Sequence, residues 1–263
     1  MTAAPQVSGD DRGFTLGDGL FETVLWDAGE LKLWDAHMER LNSSCDKLGL
    51  PLPPLGACRR AALAIVKAQM LGAERAAVRL TWSAGPGGRG LDRPDAPSPQ
   101  LTATAAVSVK WVGPARLATV SVRRNDTSPA SRLKSLSYLD NVLARQEARS
   151  AGADEALMLN TRGELACAGV ANLFWIEKGV LYTPAIACGV LNGIMRGALI
   201  ERAGRAGADI REVAATPEAL SRASAVFLTN SLIGVRPVAS IDGRLVGHDP
   251  FVQILQALLD DVS

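Results

Sequence analysis

Helical and strand-like stretches follow one another along this 263-residue chain without the regular strand–helix–strand repeat that a doubly wound parallel sheet needs. That irregular order constrains the fold most, and it predicts α+β architecture. Residues 21–26 and 31–34 flank Asp27-Ala28-Gly29-Glu30 and read as a β-hairpin. Asp35 suits the N-cap of a helix running to about residue 48, with Met38, Leu41 and Leu48 among its apolar positions. A second helix fits 55–71, and strand patterns follow at 76–83 and 101–110. Between those strands lies GPGGRGLDRPDAPSP (85–99), too rich in Gly and Pro for regular structure.

A composition break at Val112-Gly113-Pro114 predicts two domains, a smaller one over 1–112 and a larger one over 113–263. The second half reads as a strand at 118–124, a helix at 139–150, a strand at 155–160 and a hairpin over 172–184 turning at Glu177-Lys178-Gly179. A helix at 194–206, strands at 210–214 and 225–229, and a last helix from about Pro250 complete it.

Twenty-eight basic and 27 acidic side chains leave a formal charge of +1, which offers no broad field to nucleic acid or an anionic membrane. Cys45, Cys58, Cys167 and Cys188 form no CxxC pair, and His37 and His248 are the only histidines, so no metal site is expected. Reduced thiols in a cytoplasmic protein are the plain reading. No apolar run approaches the ~20 residues of a membrane helix, and residues 1–10 lack the basic and apolar regions of a signal peptide.

Several short segments are suited to chemistry. GPGGRG (85–90) is neither a P-loop nor a dinucleotide fingerprint, and it has two readings: a mobile loop, or a loop whose Arg89 reaches an anionic ligand. LNGIMRG (191–197) opens an apolar helix whose first N–H groups lack intrahelical acceptors and suit an anion. Thr229-Asn230-Ser231 closes an apolar strand, either as part of a site or as a simple turn. Lys134 lies between Leu133 and Ser135-Leu136. An exposed lysine is the usual case, but in an apolar pocket its amine loses basicity and becomes usable for covalent chemistry or proton transfer.

Taken in order, DRGF (11–14), GDGLFET (17–23), HMERL (37–41), KSL (134–136), ADEA (153–156), NLF (172–174), Gly193-Ile194 and Pro237-Val238 resemble the blocks of the class IV aminotransferase-like enzymes. These are two-domain α+β proteins of fold type IV, with the architecture of D-amino acid aminotransferase, and they use pyridoxal 5′-phosphate (PLP). The resemblance implies that Lys134 carries the cofactor and moves the substrate Cα proton. It implies that Arg40 binds the cofactor phosphate, where a planar guanidinium fork suits the oxygens. Ile194 and Met195 match the helix-start amides at that phosphate, Asn230 and Ser231 a second phosphate turn, and Tyr138 a group near the cofactor's phenolic oxygen. Relatives act as homodimers on small molecules, so a homodimer is expected.

GPGGRG, NGIMRG and TNSLIGVRPV are most similar to aminodeoxychorismate lyases, which form 4-aminobenzoate and pyruvate from 4-amino-4-deoxychorismate on the folate route. Arg89 is then the candidate for a substrate carboxylate. Phe21 stands where D-amino acid transaminases hold a substrate carboxylate with a tyrosine, and a phenyl ring has no donor to offer. The alternative implied activity is a D-amino acid or branched-chain aminotransferase.

One departure matters. Five residues before the Asn of the NLF block the family has a glutamate that pairs with the pyridine nitrogen; here that position is Cys167. Glu164, three residues away, would point to the opposite face of a strand. A neutral thiol is a weak partner for a pyridinium. Three readings follow: a lyase, which stores less charge on carbon than a transaminase; another PLP reaction; or a PLP-binding protein with little activity.

Overall fold

The computed structural model describes residues 7–260 and 262. The first six residues, part of the segment searched for a signal peptide, lie outside the described residues. The chain divides into two compact units: residues up to Val109 joined by Lys134–Ser137, and Lys110–Leu133 with residues from Tyr138 onward.

The first unit contains α1 (Arg12–Leu16), β1 (Gly19–Asp27), β2 (Glu30–Leu31), α2 (Trp34–Leu48), α3 (Leu55–Ala68), β3 (Ala76–Ser83) and β4 (Gln100–Val107). Its antiparallel sheet runs β2-β1-β3-β4. The β1–β2 turn has positive φ at both Ala28 and Gly29, as a two-residue hairpin with strand-matched twist requires. Helix α2 buries Trp34, His37, Met38, Leu41, Ser44 and Cys45, one stripe at three- and four-residue spacing, and packs on β1. Helix α3 buries Cys58, Ala62 and Val66 against β3 and β4.

The expected strand over 31–34 is a correction. Leu33 adopts φ 51°, which turns the chain out of the strand, so Trp34 opens α2. Asp35 therefore sits in the first helical turn, where its charge still favours the helix dipole, and not at the N-cap.

The second unit contains β5 (Ala115–Thr119), α4 (Leu139–Ser150), β6 (Glu155–Leu159), β7 (Leu165–Ala168), β8 (Asn172–Glu177), β9 (Val180–Pro184), α5 (Ile194–Arg205), β10 (Ile210–Val213), β11 (Ala225–Asn230), β12 (Gly234–Ile241), β13 (Arg244–Leu245) and α6 (Phe251–Ala257). Strands β8-β11-β12-β5-β6-β7 pair in that order, and β7 returns to β8, so the sheet closes into a barrel. Strands β9 and β10 extend it from β8, and β13 pairs with β12. The expected strand at 118–124 starts earlier and ends at Thr119. Strand β12 escapes a sequence reading because Pro237 lies inside it, and β7 because Leu-Ala-Cys-Ala has no β-branched residue.

Alternate residues of all six barrel strands form one core, among them Leu117, Leu157, Leu165, Leu173, Trp175, Val226, Leu228 and Val238. The opposite strand faces form a second, with Ala118, Met158, Ala166 and Cys167 packed against Ala144 and Ala148 of α4. All four cysteines are free thiols and buried. Among the described residues no helix is long and apolar enough to cross a membrane.

Candidate active site

In the first unit, residues 134–136 lie along the free edge of β1. Phe21 N–H donates to Lys134 O (2.9 Å), Leu136 N–H donates to Gly19 O (3.0 Å), and Leu20 is bridged to Ser135. Gly19 is required here, because a Cβ would stand 2.7 Å from Trp82 O and 2.8 Å from a Leu136 methyl. This register places Lys134 directly across from Phe21. The Lys134 Nζ lies 4.1 Å from the centre of the Phe21 ring, and Arg79 Cζ from β3 lies 3.6 Å from it.

The next residue of β1, Glu22, is buried and bound from α2. The HMERL segment puts His37 and Arg40 three residues apart on one helix face. Glu22 Oε2 accepts from His37 Nδ1 (2.7 Å) and Arg40 Nη2 (2.6 Å), and Oε1 accepts from Arg40 Nε (2.8 Å). Burial opposes ionisation of Glu22, but Arg40 and His37 outweigh it and hold its carboxyl at about 2. Burial also drives His37 down, against the pull of Glu22, so the imidazole is neutral and its Nδ1–H donates. Lys134 is pushed down to about 8: burial lowers it, Glu22 raises it, and Arg40 and Arg79 lower it further. The arrangement is an amine of reduced basicity beside an ion pair that stays charged throughout neutral pH.

In the second unit, NLF and NGIM converge. Asn172 pairs with Thr229 across β8 and β11, and its Nδ2 donates to Leu191 O (2.9 Å). A Cβ at Gly193 would collide with Asn172 Oδ1, so the chain reaches α5 only through glycine there. Helix α5 begins after Gly193 without a side-chain cap, which leaves the first-turn amides of Ile194 and Met195 without intrahelical acceptors. The Met195 side chain is buried, so its backbone is the part of it suited to a ligand. Thr229 Oγ1 is buried and has no hydrogen-bond partner. Asn230 shapes the following turn: its Oδ1 accepts from Leu232 N (2.8 Å) and Ile233 N (2.9 Å), with Ser231 between. Tyr138 is half-buried immediately before α4.

Cys167 is buried on β7, and burial pushes its thiol up although Arg124 pulls the other way, so it stays protonated at neutral pH. Glu164 precedes β7 and is engaged by Arg162 (2.8 Å) and Asn160 Nδ2 (2.7 Å).

The tract 85–99 is irregular, and it is anchored within the first unit. Buried Arg12 donates to the carbonyls of Gly90 (3.3 Å), Leu91 (2.6 Å) and Asp92 (3.0 Å), and its Nε pairs with Asp18 (2.9 Å). Arg93 grips the same Asp18 carboxylate through Nε (2.9 Å) and Nη2 (2.5 Å). Arg89 is exposed on this loop.

Phe21, Arg40 and Lys134, expected from sequence as site residues, thus share one cluster. Glu22, His37 and Arg79 belong to it but carried no role in the sequence reading. Two of the three lie inside the quoted blocks, and an arginine in the alternating strand AAVRLTWS was the available signal for Arg79.

Residues 19–241 match the family described as Amino-transferase class IV. The chain is 31% identical over 258 residues to a protein of Methanocaldococcus jannaschii named "Putative branched-chain-amino-acid aminotransferase", covering 96% of this chain and 88% of that one. It is similar to the crystal structure of 4-amino-4-deoxychorismate lyase from Pseudomonas aeruginosa, with TM-score 0.89 and 32% identity over 98% of this chain and 96% of the other. It is also similar to the PLP-bound form of a hypothetical aminotransferase from Mycobacterium tuberculosis, with TM-score 0.86 and 25% identity over 100% and 94% of the two chains. These relatives carry different reaction names within a PLP-dependent family. The protein described here is a class IV aminotransferase family member with the fold type IV architecture, a small α+β sheet unit and a β-barrel unit.

Proposed function

We propose that this protein is a PLP-dependent lyase that converts 4-amino-4-deoxychorismate into 4-aminobenzoate and pyruvate. The donor set fits PLP. Lys134 offers an amine of lowered basicity, and Arg40 a guanidinium for phosphate. The amides of Ile194 and Met195 stand at an uncapped helix start, beside a buried Thr229 hydroxyl that lacks a partner. Asn230, Ser231 and Tyr138 complete the proposed cofactor set. When bound, PLP supplies a ring that withdraws electrons from the substrate carbon bearing the amine.

The protein's own contribution is positional and acid–base. Glu22 fixes the orientation of Arg40. Lys134 Nζ takes the proton from the substrate Cα, a task suited to an amine whose pKa lies near 8. Departure of the enolpyruvyl group then leaves an aromatic ring, so less charge must be stored on carbon than in amino transfer. The observation that carries this choice of reaction is Cys167, a protonated thiol where the family has a carboxylate. Phe21, without a donor, argues the same way against D-amino acid transamination. Arg89 is the proposed contact for a substrate carboxylate.

The relative from Methanocaldococcus jannaschii favours a second reading, a branched-chain aminotransferase, and a D-alanine aminotransferase of Bacillus licheniformis, 29% identical over 245 residues, favours its D-amino acid form. Cys167 favours a third, a PLP-binding protein of low activity. Borohydride reduction followed by peptide mapping tests the cofactor assignment, and a label on any residue but Lys134 rejects it. Incubation with aminodeoxychorismate tests the reaction: 4-aminobenzoate supports the lyase, whereas turnover that depends on a 2-oxoacid supports the aminotransferase. A homodimer is also proposed, and sedimentation at a monomer's mass would reject it.

A further inference from the structure

Phe21 lies on β1 between two strand partners. Strand β3 pairs along one edge of β1, and residues 134–136 pair along the other. Arg79 comes from the first edge and Lys134 from the second, so the phenyl ring stands between a guanidinium at 3.6 Å and an ammonium at 4.1 Å. Each cation meets the negative π-face of the ring, and the ring keeps two like charges apart. The ring is itself buried, with 5% of its surface exposed.

We propose that Phe21 is a positioning residue for Lys134: its ring holds the ammonium in line and keeps Arg79 at a fixed distance from it. Arg79 is then a built-in lever on the reactivity of the amine. Among the described residues, Glu22 on β1 favours the charged form of Lys134, and Arg40 and His37 on α2 also act on it. The inference rests on the reading of Lys134 as the reacting amine, but its test does not need the cofactor.

Competitive acylation of the full-length, cofactor-free protein with trace acetic anhydride reports the free-amine fraction of each lysine as pH rises, read peptide by peptide by mass spectrometry. Phe21→Leu removes the π-face while keeping an apolar side chain, and it should lower the apparent pKa of Lys134 by about one unit, roughly a tenfold change in free amine at a given pH below it. Phe21→Tyr keeps the ring and should leave the titration in place. Arg79→Met keeps the stem, removes the charge, and should raise the pKa, with a larger rise in the Phe21→Leu background. A Lys134 titration unmoved by both Phe21→Leu and Arg79→Met overturns the proposal, as does Phe21→Tyr shifting it as far as Phe21→Leu. If Phe21→Leu fails to fold, as circular dichroism will show, Phe21→Met takes its place as the variant without a π-face, with the same two overturning results. Borohydride mapping that fails to label Lys134 would reject the cofactor assignment and leave this titration result standing.

Discussion

Cys167 and Asn172 face one another across the pairing of β7 with β8 that closes the barrel. Closure there is made by backbone pairing, so the cysteine side chain is available for another purpose. That thiol is buried and held above its ordinary pKa. It should therefore resist iodoacetamide in the native protein, while unfolding should expose all four thiols, a contrast that intact-mass measurement reads directly. In the loaded enzyme, Cys167→Glu should raise amino transfer relative to elimination, measured as two half-reactions with a common amino donor. Wild-type protein that already transaminates as efficiently as its relatives would contradict the role given to Cys167.

Lys134 lowers the stability of its unit. Its charged form is disfavoured in the fold, where its pKa is about 8 against an ordinary 10.5. Below pH 8 the folded state carries that penalty in full, and it fades as pH rises toward 10.5. Lys134→Met should therefore stabilise the cofactor-free protein at neutral pH by about 3 kcal/mol, with the gain shrinking in alkaline solution. Denaturant titrations at two pH values check both parts.

Glu22 works with the opposite sign. Its carboxyl ionises at about 2 in the fold against a reference of 4.5, so the stability it contributes is complete above 4.5 and drains away as pH falls toward 2. The loss is on the order of 3 kcal/mol. Glu22→Gln should remove this acid dependence and destabilise the protein at pH 7, because Arg40 loses its buried counter-charge and one of the two accepting oxygens becomes a donor.

Arg12 anchors the Gly-rich tract through three carbonyls. Arg12→Met should release that tract, and limited proteolysis should then cut within 85–99 at least tenfold faster than in wild type, a fall in the free energy of opening of about 1.4 kcal/mol or more. Equal cleavage rates would show that Arg12 does not restrain the loop.

Much of the architecture was legible because it rests on local pattern. The amphipathic stripe of α2, the alternation of β3 and the Lys178-Gly179 turn each follow from neighbouring residues. The strands that were missed depend on distant partners: β12 keeps Pro237 because β11 and β5 hold it from either side. The site divides in the same way. Lys134 could be named from an ordered set of blocks, but its surroundings are created by sheet register. Nothing near Lys134 in the chain announces Phe21, and nothing near Phe21 announces Arg79. Arg93 illustrates the same limit, since its grip on Asp18 joins two ends of the first unit that no local pattern connects.

The return of Lys134–Ser137 to the first unit has an evolutionary consequence. No single cut in the chain yields both units whole. A recombination event that exchanged the barrel by crossing over near Val112 would deliver a foreign lysine to the native Glu22 and Arg79. An exchanged barrel would therefore have to bring a lysine segment that still pairs with β1, so the two halves are constrained to change together.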